Sequence, residues 1–380
     1  MHLQSLFGKL EILSSKGGYP NRVWIQKRMD IHLLQHIGDM SQLAGITRSE
    51  ISSGPARGDG IIEVYNAAGL RFRVLESKCL DILDLSYQGI NMGFISKNGI
   101  AASSSFNALD GEFPYYFIPG MLTTCGLANI GNACFDNGAF RNMHGRISNK
   151  QPEYISTDAH WEGSDYILSV SGKMKDSYLY GYNLHLDRKM EVSLYGKHID
   201  IYDQITNVSS VRQPYAVLYH FNFGYPLLDA GAKLVKGPGA MLPRDADAEA
   251  GLAVWDQITA PIPQEPERVY YHTNIADETG YCYAGIYNQA RKLGAYIQYS
   301  ANNLPYITQW KSMCAHDYVL GLEPCNSFLR GCAVEQSEKN MRFLEPYETI
   351  RNHLRFCIID GDPSYQALLN IVHSIEDPAK

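Results

Sequence analysis

Apolar and polar residues alternate along most of the chain from Ile61 to about residue 361. Short stretches with a period of two are separated by Gly, Asn, Asp or Pro, and no long helical pattern lies between them. This arrangement favours antiparallel sheets over a parallel α/β fold. The predicted strands are IIEVYNA, LRFRVLE, YILSVSGKM, YNLHLDRKMEVSLY, HIDIYDQITNV, YAVLYHFNF, RVYYHTN, CYAGIYN, GAYIQYS, YVLGLEP and HLRFCIID. We therefore predict an all-β fold, a large sandwich of antiparallel sheets.

The N-terminal part of the chain has a different pattern. The stretch MDIHLLQHIGDMSQLAGI carries apolar residues at mixed spacings of three and four, as an amphipathic helix does. A cluster of helix and strand breakers follows between Ser53 and Gly60. We predict a helical N-terminal extension over residues 1–55 and a β-sandwich domain over residues 56–380, which ends in a short helix. The extension is also a candidate contact in a homo-oligomer.

Two segments have weak periodicity and many loop-forming residues. Residues 100–143 are rich in Gly, Asn and Phe, and residues 237–268 contain five prolines. Both are predicted to be long loops, and long loops on a rigid β scaffold are where binding residues often lie.

Composition narrows the class of protein. The 380 residues are 45% hydrophobic and 19% charged, with a formal net charge of -7 and no basic stripe. This argues against nucleic acid and anionic membranes as partners and favours a small neutral or mildly charged ligand. No secretion signal and no uninterrupted apolar run of 18 residues is visible, and the eight cysteines are scattered without CxxC pairs. We expect a cytoplasmic protein with reduced thiols.

Three strand-like segments carry ionisable residues among apolar neighbours. These are MHGR with His144 and Arg146, LYHFNF with His220 and Asn222, and LGLEPC with Glu323. A carboxyl group in an apolar strand has a raised pKa, and a nearby imidazole can hold the complementary proton, as general acid–base catalysis requires. Each histidine taken alone is more often a hydrogen-bonded core residue, whereas a buried glutamate without a function is less common.

The order of these motifs resembles the aldose 1-epimerase superfamily, to which galactose mutarotase belongs. An early HG, a later HFN on a strand and a late LE on a strand follow one another in that family. Glu323 followed by Pro324 is more similar to its hexose-phosphate epimerase branch. The whole pattern, with TTCGL at 123–127, HGR at 144–146 and QWK at 309–311, most resembles an uncharacterised branch. The resemblance covers roughly residues 60–360 and implies a galactose mutarotase-like supersandwich with sugar bound in an open cleft.

The resemblance also implies roles for three residues. His220 corresponds to the superfamily's general acid, Glu323 to its general base and His144 to its substrate-positioning histidine. Mutarotation removes the proton of the anomeric hydroxyl while the ring oxygen receives one, so that the ring opens and closes on the other face. Neither a metal nor any other cofactor is needed for this isomerase reaction on a small-molecule sugar.

The sequence departs from the mutarotase pattern at the residues that contact the sugar. An aspartate that commonly holds sugar hydroxyls has no clear match, and His272 in VYYHTN is the nearest candidate. Arg146 could bind an acidic or phosphorylated sugar through two parallel hydrogen bonds, or it could pair with a structural carboxylate. These two interpretations stay open.

Further candidates come from their neighbourhood in the sequence. LPYITQWK offers Gln309 as a hydroxyl-binding amide, Trp310 as a stacking platform and Lys311 as a second cation. Arg73 alternates with apolar residues on a predicted strand and is a candidate sugar ligand, although a surface salt bridge is the more common role for such an arginine.

Other functions also fit parts of the pattern. A lyase or another carbohydrate isomerase could use the same fold, and a metal held by His144, His220, His272 and Glu323 is a further alternative. A non-catalytic sugar-binding protein would have the same aromatic cleft without needing the acid–base pair. Glycoside hydrolysis ranks lower because only one candidate carboxylate, Glu323, is evident.

Overall fold

A computed structural model describes residues 30–107, 111–136 and 138–375 of the chain. Its helices are short except at the C-terminal end. They are α1 (Ile31–Leu34), α2 (Phe113–Tyr116), α3 (Ala246–Ala250), α4 (Cys332–Ser337) and α5 (Gly361–Ser374), with short 3-10 turns at Met40–Gln42, Ser103–Ser105, Ile147–Asn149 and Leu252–Val254. None of the helices in these residues is long and apolar enough to cross a membrane.

Strands make up most of the regular structure. The first eight are β1 (Gly45–Glu50), β2 (Gly60–Tyr65), β3 (Leu70–Leu75), β4 (Asp81–Tyr87), β5 (Ile90–Asn91), β6 (Phe94–Ile95), β7 (Pro119–Gly120) and β8 (Leu122–Leu127). The next eight are β9 (Cys134–Asp136), β10 (Ala139–Arg141), β11 (Glu153–Glu162), β12 (Asp165–Ser177), β13 (Asn183–Ser193), β14 (His198–Asn207), β15 (Gln213–Phe223) and β16 (Lys233–Lys236). The last eight are β17 (Met241–Pro243), β18 (Arg268–Thr273), β19 (Tyr281–Asn288), β20 (Leu293–Ser300), β21 (Tyr306–Cys314), β22 (Asp317–Cys325), β23 (Arg342–Leu344) and β24 (Thr349–Asp360).

Two large antiparallel sheets form the body of the molecule. One sheet has the strand order β11-β12-β13-β14-β24-β20-β19-β16. The other has the order β17-β18-β21-β22-β15-β23, and β8 also pairs with β15. A third sheet, β1 to β5 in sequential order, comes from the N-terminal part of the described chain. The predicted all-β fold class is confirmed.

The hydrophobic core lies between the two large sheets. Phe221 and Phe223 of β15 both stack on Phe356 of β24 in the opposite sheet, with ring centroids 5.8 and 6.2 Å apart. Because side chains alternate along a strand, His220 must point to the other side of its sheet, away from this core. The sheet that contains β15 therefore carries the His220 side chain on its outer face, away from the core.

The N-terminal prediction is wrong in its described part. Only Ile31–Leu34 is α-helical, and the Asp39 carboxylate then accepts a hydrogen bond from Ser41 N–H to begin a 3-10 turn. Gly45–Glu50 forms β1, which pairs along its whole length with β2. A glycine and a capping aspartate in succession interrupt the helical pattern at that point. Residues 1–29 of the predicted extension lie outside the described residues, and the domain division at residue 56 stays a prediction.

The segment 100–143 is less loop-like than its sequence indicates. TTCGL belongs to β8, whose residues pair with β15 from Ala216 to Phe221. Five of the six residues of β8 are buried, so both faces of this strand are covered and the alternation of polar residues is missing. The predicted loop over 237–268 likewise contains β17 and α3.

Candidate active site

A cavity of about 700 Å³ opens on the outer face of the sheet that contains β15, β21 and β22. Its lining includes four residues predicted from the sequence, His144, His220, Trp310 and Glu323. They come from three strands and one loop that are distant in the sequence, and the sheet brings them together.

His220 and Glu323 lie side by side on neighbouring strands. The registers of β15 and β22 place Phe221 opposite Leu322 and Asn222 opposite Gly321, so that residues 220 and 323 lie on the same face. His220 Nε2 is 3.1 Å from Glu323 Oε1. Both side chains are almost fully buried, at 6% and 1% exposed. The pair therefore has the proximity that proton transfer between neighbouring groups requires.

Several polar atoms of this pair have no protein partner. The two carboxyl oxygens of Glu323 and Nδ1 of His220 make no hydrogen bond to any described residue. His220 Nε2 lies 3.1 Å from Glu323 Oε1, but the two atoms are not aligned for a hydrogen bond. Nδ1 of His144 is also buried without a partner. Buried polar atoms are nearly always hydrogen-bonded, so such a group of unpartnered atoms at a cavity marks a place where a polar ligand fits.

Burial also shifts the pKa of each of these groups toward its uncharged form. It raises the pKa of the Glu323 carboxyl well above its ordinary value; the negative charge of Glu267 adds to this and the positive charge of Arg244 opposes it. Burial lowers the pKa of His220 well below its ordinary value, with the nearby His144 adding to the effect. Burial lowers the pKa of His144 to about 4. Burial thus favours the protonated, neutral form of the Glu323 carboxyl and the uncharged form of the His220 imidazole.

A tight loop holds His144 at the cavity. Its backbone is left-handed (φ 56°), and its N–H donates to Gly131 O at 2.9 Å. The following Gly145 is required there, because a Cβ atom would lie 2.1 Å from Gly126 O. The HG pair of the sequence is therefore explained by close packing of the loop against β8.

Aromatic side chains cover the two histidines. The Phe113 ring lies 5.1 Å from His144, and the Phe117 ring lies 5.4 Å from His220. Trp310 lies 5.4 Å from His220 and 6.2 Å from Phe117. These rings provide apolar faces on which a sugar ring can pack, and they exclude water from the acid–base pair.

Charged residues line the remaining walls, and the cations there are paired. Arg244 Nη2 donates to Glu267 Oε1 at 2.9 Å, and Trp310 Nε1 donates to the other oxygen of Glu267 at 2.7 Å. Lys97 Nζ lies 2.7 Å from Asp317 Oδ2. Lys97 and Arg244, the cations that line the cavity among the described residues, therefore each have their charge balanced by a carboxylate.

Three of the predicted substrate-binding residues lie outside the cavity lining. Arg146 is exposed and is not among the residues that line the cavity. Arg73 forms a salt bridge with Asp84 on the neighbouring strand. A salt bridge is the role that the sequence analysis gave as more common for such an arginine. Asn222 is buried and donates to the backbone oxygens of His220 and Pro119. The structure therefore does not bring these three residues to the cavity lining.

The other three lie on the opposite face of the sheet. His272 Nε2 and Gln309 Oε1 are 3.0 Å apart, Gln309 Nε2 donates to Trp255 O at 2.8 Å, and Lys311 Nζ donates to Val254 O at 2.5 Å. All three side chains are at most 2% exposed. Residues 309 and 311 cannot share a face with Trp310, because strand side chains alternate. The structure does not bring these three residues to the cavity. Gln309 and Lys311 instead bond the backbone at the end of the 3-10 turn Leu252–Val254, and His272 contacts Gln309.

The alternative metal site is not assembled either. Among residues 30–107, 111–136 and 138–375, no group of three or more His, Cys, Asp or Glu side chains is placed to hold a metal ion. His272 lies on the far side of the sheet from Glu323, which separates the four ligands considered from the sequence.

Sequence reasoning missed the aromatic and charged walls. Phe113 and Phe117 come from the segment 100–143, and Arg244 and Glu267 come from the segment 237–268. Both segments were predicted to carry functional residues, but nothing in their pattern distinguishes the side chains that reach the cavity. Lys97 had no sequence feature that could have identified it.

The comparisons with known proteins agree with this fold. A family model described as "Domain of unknown function (DUF4432)" matches residues 56–358. A candidate aldose 1-epimerase from Klebsiella pneumoniae is similar in structure, with a TM-score of 0.84 at 22% identity over 88% of each chain. A galactose mutarotase-like protein from Clostridium acetobutylicum has a TM-score of 0.59 at 13% identity over 84% of this chain and 99% of its own.

A galactose 1-epimerase from Lactobacillus acidophilus has a TM-score of 0.54 at 12% identity, over 84% of this chain and 99% of its own. No curated protein matches the sequence. At these identities the solved structures establish the fold, and the family model covers most of the chain. The chain belongs to the DUF4432 family and has the galactose mutarotase-like fold.

Proposed function

We propose that this protein is an aldose 1-epimerase that interconverts the anomers of an uncharged sugar. The observation that carries the proposal is the buried contact of 3.1 Å between His220 Nε2 and Glu323 Oε1 at a sugar-sized cavity. The folds of the candidate and named epimerases among its structural neighbours support the same reaction class by analogy.

The arrangement of the pair suits the atoms that must exchange protons. The ring oxygen and the anomeric hydroxyl oxygen are both bonded to C1, so an acid and a base that lie close together can reach both oxygens at once. His220 and Glu323 do so on adjacent strands. One group takes the proton of the anomeric hydroxyl while the other protonates the ring oxygen, the C1–O5 bond breaks, and the aldehyde forms. Rotation about C1–C2 and the reverse proton transfers close the ring on its other face.

The pair needs one proton in total for this cycle. With Glu323 protonated and His220 neutral, the carboxyl group protonates the ring oxygen and the imidazole accepts the hydroxyl proton. With the proton on His220 instead, the two roles are exchanged, as the resemblance to the superfamily implies. Both states contain the same number of protons, so they differ only in which of the two residues carries the proton.

The cavity walls favour an uncharged substrate. Arg244 is paired with Glu267 and Lys97 with Asp317, so an anionic sugar would meet no unbalanced positive charge on these two cations. Arg146, which gave the reason to consider acidic and phosphorylated sugars, lies outside the cavity lining. Hydroxyl groups, in contrast, can bond to paired carboxylates and cations without separating them.

The test is to follow the approach of pure anomers to equilibrium by polarimetry or NMR for a panel of neutral aldoses, uronates and sugar phosphates. We expect the wild type to accelerate mutarotation of at least one neutral aldose and to act on charged sugars at least about tenfold less well. Glu323→Gln keeps the shape but cannot exchange its proton, so kcat should fall by about 100 to 10,000-fold.

The matched control is Glu335→Gln, which changes another glutamate that is 1% exposed but lies in α4 and pairs with Arg330. Its kcat should stay within about threefold of the wild type for the folded protein. If the wild type binds a sugar but does not accelerate anomer exchange, a binding protein is the better description. An unsaturated, ultraviolet-absorbing product would instead indicate a lyase.

A further inference from the structure

Two cysteines that are distant in the sequence touch beside the cavity. Cys134 belongs to β9 and Cys332 begins α4, and they are 198 residues apart in the chain. Their sulfur atoms lie 3.4 Å from each other. The Cys332 N–H donates to Asn129 Oδ1 at 2.7 Å, which fixes the start of α4 against the segment that leads into β9.

We propose that Cys134 and Cys332 form a redox modification site, which closes as a reversible disulfide. A disulfide requires the sulfur atoms to approach to about 2.05 Å, so the two atoms must move together by little more than 1 Å. The two residues also differ in access. Cys134 is half-buried and can meet a small oxidant, whereas Cys332 is buried and is positioned to react only with Cys134.

The oxidation consists of two thiol–disulfide exchanges with a low-molecular-weight disulfide. The Cys134 thiolate attacks one sulfur of the oxidant, the oxidant's S–S bond breaks, and one small thiolate leaves. The Cys332 thiolate then attacks the Cys134 sulfur of the mixed disulfide and releases the second small thiolate. The two protein thiols are oxidised, the small disulfide is reduced to two thiols, and these take up the two protons that the cysteines lose.

The bond would join two segments of the cavity wall. Gly131 O accepts the hydrogen bond of His144 N–H, and Asn132 N–H donates to Leu329 O at 3.0 Å. Gly131, Asn132 and Leu329 all line the cavity, and they lie within three residues of Cys134 or Cys332. A disulfide would fasten these segments covalently where hydrogen bonds already hold them. This inference does not depend on the proposed sugar chemistry.

The test exposes the full-length protein to excess glutathione disulfide, then alkylates the remaining thiols and maps the peptides by mass spectrometry. We expect the wild type to lose two alkylatable thiols and to yield one cross-linked pair of peptides that contains residues 134 and 332. Because this bond closes a long loop, the melting temperature should rise by about 5 °C and return on reduction.

Cys134→Ser and Cys332→Ser should each abolish both the cross-link and the rise in melting temperature. The matched control is Cys314→Ser, which changes the other half-buried cysteine and should keep both. Peptide mapping of the wild type alone decides the question if a serine variant does not fold. Eight alkylatable thiols after oxidation, or a cross-link between other cysteines, would overturn the proposal.

Discussion

At the scale of single residues, the site depends on how closely Glu323 is packed. Gly321 lies two residues before it on β22, on the same face of the sheet. A Cβ atom at Gly321 would lie 2.6 Å from Glu323 Oε1 and 3.1 Å from both His220 Cε1 and Trp310 Cβ. The absence of a side chain at residue 321 therefore creates the space in which the acid and the base meet.

Gly321→Ala tests this requirement. The added methyl group must displace the end of the Glu323 side chain, because the carboxyl oxygen is the most easily moved of the three neighbours. We expect kcat for mutarotation to fall by more than about tenfold while the folded structure is kept, since a small misplacement of a catalytic group is costly. Steady-state kinetics and circular dichroism measure the two effects.

Gly38→Ala is the matched control, because a Cβ atom at Gly38 would meet nothing within 4 Å. It should leave kcat unchanged within about twofold. Wild-type kinetics in Gly321→Ala would mean that the position of the Glu323 carboxyl does not matter for the reaction.

At the scale of elements, strand alternation decides which predicted residues reach the cavity. Gln309, Trp310 and Lys311 are consecutive on β21, so at most one side of this group can face a ligand. Strand alternation can be read from the sequence alone, and it indicates that Gln309, Trp310 and Lys311 cannot all contact one substrate. Which of the two faces is the outer one could not be read from the sequence, because both are buried.

His272→Gln tests the structural role assigned to the inner face. Burial lowers the pKa of His272 to about 3, with the charge of Lys236 adding to the effect. The unfolded chain therefore takes up a proton at this residue below about pH 6.5, whereas the folded protein does not until about pH 3. The stabilisation that His272 provides is complete above pH 6.5 and is lost as the pH falls.

We expect His272→Gln to be less stable than the wild type at pH 7.5, by about 1–3 kcal/mol from the altered hydrogen bond. At pH 5 this difference in the free energy of unfolding should shrink by about 2 kcal/mol. The reason is that only the wild type is destabilised by protonation of residue 272 in the unfolded state. Urea unfolding at both pH values measures this, and kcat at pH 7.5 should change by less than about threefold. A deficit that is independent of pH, or a 100-fold loss of kcat, would contradict the structural role.

At the scale of the whole molecule, the fold class and the central pair followed from the sequence, and the cavity walls did not. Alternating strands predict the sandwich, and a glutamate in an apolar strand predicts a perturbed carboxyl. β1 was missed because its residues are mostly exposed and show no apolar face. Phe117 and Arg244 were missed because loops of weak periodicity deliver them, and their contacts depend on tertiary packing that no local pattern encodes.

The proposed mechanism requires His220 and Glu323 to act together on C1 of a sugar. The most direct measurement is a crystal structure of the Glu323→Gln protein with the neutral aldose that the wild type converts fastest. We predict the ring oxygen and the anomeric oxygen within about 2.6–3.2 Å of His220 Nε2 and the side chain of residue 323. A sugar bound outside this cavity, or with its anomeric carbon turned toward Arg244 and Glu267, would contradict this mechanism.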